Sequence, residues 1–187
     1  SSCRIFTNLL KDQKCCGQVV GNVAALEALV GLLGSAFNIQ YGQPNIDILQ
    51  ALCNLLHYEE AVAILMECGL IHTLYGLADK DQTSGKYRQE IATILYNVSC
   101  YVHFSQQLVQ DKCVNILLEY LQETSSHLDL QIKLLQTLTN LCKCQSTHDP
   151  IAKDIIASLS LVDFSTHNRT TIEVASVLML LSSNASN

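Results

Sequence analysis

Gln50-Ala51-Leu52-Cys53-Asn54-Leu55-Leu56 is the stretch that decides the fold. Its centre is an apolar residue, a variable residue, Asn and a second apolar residue. That phrase recurs as Phe6-Thr7-Asn8-Leu9, Leu95-Tyr96-Asn97-Val98 and Leu138-Thr139-Asn140-Leu141, and a fifth copy, Leu178-Met179-Leu180-Leu181, has lost the Asn. Successive copies stand 46, 43, 43 and 40 residues apart. Self-similarity at such a period marks a stacked helical array, in which one unit buries its apolar face only against its neighbours.

Outward from the Asn, apolar residues recur at offsets −6, −3, −2 and +1: Ile48, Ala51, Leu52 and Leu55; Ile91, Ile94, Leu95 and Val98; Leu134, Thr137, Leu138 and Leu141; Val174, Val177, Leu178 and Leu181. Thr137 is the single polar member. On a helix these offsets form one stripe about 100° wide. Long helices are therefore expected near 1–10, 45–57, 86–101, 128–143 and 170–183. A second apolar pattern precedes three of them, at 21–29, 69–77 and 112–120, with Gly21, Gly69 and Lys112 at its corner. Short helices are expected before the last two, at 58–66 and 104–110. The unit thus reads short helix, corner, middle helix, loop, long helix. Loops are expected at 34–44, 79–86, 123–127, 145–150 and 165–170, where the pattern breaks, and 155–164 reads as a shortened, irregular corner. The expectation is one all-α domain over 1–187, with about four units and partial units at its ends, cut from a longer chain.

Composition agrees. A chain that is 49% hydrophobic and 15% charged, with no Trp and two Pro, is not disordered and suits uninterrupted helices. The net charge is −6 and the basic residues are scattered, so no nucleic-acid partner is expected. Mean hydropathy is +0.22, yet charges, Gly or Pro interrupt every apolar run before the roughly 18 residues of a membrane span, and a soluble chain is expected. Nine cysteines, an odd number, with five inside apolar helical patterns, fit free thiols in a reducing cytoplasmic setting, nuclear or cytoskeleton-associated locations being variants of it. Sequons stand at Asn97, Asn168 and Asn184, but Asn97 falls in mid-helix and glycosylation carries little weight.

The phrase at 50–56, with Gly before an apolar middle helix, resembles the armadillo-repeat family, whose third helix commonly carries Ala-Leu-x-Asn-Leu. The resemblance spans nearly the whole chain. It implies a right-handed superhelix whose third helices line a concave groove, where Asn side chains grip the backbone of an extended partner. The matching positions are Asn8, Asn54, Asn97 and Asn140. Importin-alpha-like members place Trp four residues before that Asn, where this sequence has Arg4, Gln50, Thr93 and Gln136. Their mode of reading nuclear-localisation signals is therefore not expected. Beta-catenin-like grooves are strongly basic, whereas this face is mixed.

An amide both donates and accepts, so a column of Asn can pair with successive backbone groups of a ligand. Offsets −7, −4 and +4 lie within about 40° of the Asn on a helix. The candidate face is then Asp47, Gln50, Asn54 and Tyr58; Glu90, Thr93, Asn97 and Tyr101; and Lys133, Gln136, Asn140 and Cys144, with Asn8 ahead of them. Equally, the same Asn residues can bond an adjacent repeat and hold the stack together. Tyr58 and Tyr101 suit interface anchors, or half-buried helix ends.

Cys142, Cys144, His148 and Asp149 form the only cluster with metal-like chemistry, but no second ligand pair stands at a recognised spacing, and neither metal nor cofactor is expected. No nucleophile elbow, P-loop or dinucleotide fingerprint is present, so no enzyme is expected. The expected function is a non-catalytic scaffold that binds an extended or helical segment of another protein. The alternatives are assembly through the ends of the array, with further repeats or a second copy, and a docking arm of a larger enzyme.

Overall fold

The computed structural model describes residues 2–35, 43–78, 85–123, 127–144, 148–160 and 168–184, and among these the chain is entirely helices and their turns. It divides into two compact units, Ser1–Val98 and Ser99–Asn187.

The first unit runs α1 (Ser2–Leu9), α2 (Gln13–Val20), α3 (Val23–Ser35), α4 (Gln43–Leu55), α5 (Glu59–Glu67), α6 (Leu70–Ala78) and α7 (Gly85–Ser99), whose last residue crosses the boundary. Local chemistry sets several of these ends. Asp12 caps α2, its carboxylate accepting from the backbone N–H groups of Lys14 and Cys15 at 3.0 Å each. Asn22 does the same for α3, accepting from Ala25 at 3.1 Å. Pro44 falls in the first turn of α4, where its missing N–H has no helical partner to lose. Between α5 and α6 the chain turns at Gly69, with φ +78°, a left-handed conformation that glycine adopts freely. Gly21, at the corresponding corner, has φ −79° and needs no such freedom.

The second unit opens with a 3-10 turn at Val102–Phe104, followed by α8 (Ser105–Gln110), α9 (Cys113–Glu123), α10 (Leu128–Cys142), α11 (His148–Leu159) and α12 (Asn168–Asn184). Its corner between α8 and α9 is Lys112, with φ +62° and no glycine to relieve it.

The five copies of the Asn phrase lie on α1, α4, α7, α10 and α12. Helices reach further into the expected loops than the pattern suggested: Gly34, Ser35, Gln43, Pro44, Gly85, Lys86, Glu123, 148–150 and 168–170 are all helical. His127 stands just before α10, and the rest of those loops, 36–42, 79–84, 124–126, 145–147 and 165–167, lies outside the described residues. The expected irregular corner is corrected as well, since α11 is a regular helix through Leu159; 161–164 are outside the described residues.

In α4, α7 and α10 the offset stripe is buried throughout, and Thr137 meets its burial by donating to the Lys133 carbonyl at 2.8 Å. The buried band is wider than expected. Leu49, Ala92 and Leu135 at offset −5 and Leu56, Ser99 and Cys142 at +2 are buried too, because a helix inside a stack is covered from more than one side. Within the first unit α4 packs on α1 and α3, and α3 also on α5 and α6; within the second, α10 packs chiefly on α12. The same register opens on α12, where Leu178 is 41% exposed although Leu52, Leu95 and Leu138 are 0% exposed.

No single helix among the described residues is long and apolar enough to cross a membrane. The apolar pairs α2–α3 and α5–α6 bend by 95° and 69°.

Candidate functional site

The face opposite the buried band carries the candidate residues. Gln50, Asn54, Tyr58, Glu90, Thr93 and Asn97 of the first unit are all half-buried, as are Tyr101, Lys133, Gln136 and Asn140 of the second; Asn8 on α1 is exposed. A face of this kind offers polar groups that are partly shielded from water, so a hydrogen bond made there competes with fewer waters.

Two of the Asn side chains bond the helix one repeat earlier. Asn97 on α7 donates to the Cys53 carbonyl at 3.2 Å, next to Asn54 on α4. Asn140 on α10 donates to the Ser99 hydroxyl at 3.1 Å and lies 3.8 Å from the Cys100 sulfur, while its oxygen accepts from the Lys143 ammonium at 3.0 Å. Asn54 and Asn8 differ: among the described residues neither side chain makes a hydrogen bond. The column therefore holds amides of two kinds, some engaged in the stack and some open.

The flanking positions form a second repeated device. Gln50 on α4 donates to a Glu90 carboxylate oxygen on α7 at 2.9 Å, and the Cys53 thiol lies 3.6 Å from the other oxygen. In the second unit Gln136 on α10 donates to Glu173 on α12, also at 2.9 Å. Each pair joins offset −4 of one copy to offset −7 of the next. Glu173 was absent from the candidate face because the fifth copy lacks the Asn; comparing offsets between adjacent copies reveals it. Tyr58 donates its hydroxyl to the Gln13 carbonyl at 3.3 Å, so it ties the start of α5 to α2. Thr93 donates to Gln89 one turn back at 2.7 Å. Tyr101 meets His103 edge-on at 6.4 Å between ring centres.

Among the described residues no group of three or more His, Cys, Asp or Glu is placed to hold a metal. The side chains of His148 and Asp149, and residues 145–147, lie outside the described residues. Cys142 is fully buried, and burial pushes its thiol up to about 11. Burial raises Cys113 further still.

Comparison with known proteins places this geometry in a family. The PUL domain model matches residues 43–176, well over half the chain. The chain belongs to the PUL domain family. Its PUL match begins at α4 and ends within α12, with α1 to α3 ahead of it. Solved structures similar to this PUL chain include engineered and designed proteins. One engineered protein shares 20% identity, covers 97% of this chain and 72% of its own, and has a TM-score of 0.79. A designed armadillo repeat protein shares 14% identity over 97% of this chain and 74% of its own, at a TM-score of 0.77. Another, in complex with the peptide (KR)4, shares 16% identity over 95% and 73%, at 0.73. The fold is thus an all-helical armadillo-like repeat. No curated protein matches the sequence.

Proposed function

We propose that this chain is a non-catalytic protein-binding scaffold whose long-helix polar face takes an extended segment of another protein. Asn54 carries the reading. It is half-buried, central to the face, and leaves both its donor and its acceptor open among the described residues. A structural amide in such a place finds a partner within the fold, whereas a reading amide keeps its groups for a ligand backbone. Asn97 supports it. Its bond to Cys53 holds the side chain in one orientation, and the oxygen has no partner among the described residues. A designed neighbour of the same fold was solved with a peptide, which fits this use.

The proposed face comprises Asn8, Gln50, Asn54, Tyr58, Glu90, Thr93, Asn97, Tyr101, Lys133, Gln136 and Asn140, and all 187 residues belong to one repeat array on this reading. Eight free cysteines among the described residues favour a reducing compartment, and we place the protein in the cytoplasm. The test is selection of phage-displayed random dodecapeptides on the protein. Asn54→Ala is expected to weaken a selected peptide about ten-fold, the cost of roughly one to two hydrogen bonds, with its melting temperature unchanged. Equal affinity for both proteins refutes the reading.

Assembly through the ends of the array is a second reading, favoured by the exposed Ile5 and Leu9 on α1 and Leu178 and Met179 on α12. Sedimentation against concentration separates the two: an end-to-end assembler grows and a peptide reader stays monomeric.

A further inference from the structure

We draw no further inference here: the strongest candidate, the apolar pocket of about 310 Å³ that Phe6 of α1, Ala25 and Leu32 of α3 and Ala51 of α4 line in the first unit, is open to solvent, and nothing in the structure shows what covers it.

Discussion

Lys112 holds φ +62° at the corner where Gly69, one unit earlier, holds φ +78°. A side chain in that region meets its own backbone, whereas glycine does not. Lys112→Gly is expected to raise stability by up to about 1 kcal/mol, because relief of strain exceeds the entropy glycine adds to the unfolded chain, and Gly69→Ala should lower it by about 1 kcal/mol. Midpoints of urea unfolding check both, and a loss in Lys112→Gly refutes the strain. Asp12 carries a pH dependence. Its bonds from the Cys15 and Lys14 backbone N–H groups hold its carboxyl below the usual value of 3.8. A depressed folded value means that the cap's charge contribution is complete above the unfolded value and fades as pH falls through the folded one. Asp12→Asn keeps a cap and should flatten the melting curve of the protein against pH below about 4. At this scale the sequence placed Gly21, Gly69 and Lys112 in one column, but only two of them take positive φ. Backbone sign at a corner depends on how the two helices meet, which composition at one position does not specify.

A long helix repeats one register in different surroundings, so the same residue type at the same offset tests packing alone. Leu95 is 0% exposed and Leu178 is 41% exposed. Leu95→Ala is expected to cost about 2–5 kcal/mol and Leu178→Ala less than about 1 kcal/mol, measured by denaturant unfolding. Similar costs at both would show that the register, not its covering, sets stability. The Asn column makes the complementary case. Asn97→Ala removes a bond between α4 and α7 and should cost about 1 kcal/mol, while Asn54→Ala removes none and should be nearly neutral. Helix positions and the buried stripe were legible because periodicity is a property of one helix. The burial at offsets −5 and +2, and the Gln–Glu pairs that reach from one copy to the next, were not, because they depend on what a neighbouring helix brings.

For the whole molecule, the repeat period was sufficient to name the architecture, and the PUL family match adds a lineage that no single motif in the chain announced. Candidate residues emerged from the Asn offsets, yet their division into engaged and open amides needed coordinates, since Asn54, Asn97 and Asn140 are alike in sequence context. The proposed function rests on that division. The most direct measurement is the side-chain amide spectrum of the 15N-labelled protein as a selected dodecapeptide is added. The Asn54 and Asn97 side-chain resonances are predicted to move with the bound fraction, with Asn140, already bonded to Ser99 and Lys143, moving less. Movement confined to other surfaces, with the Asn54 amide unshifted at saturation, would contradict a partner read by this column.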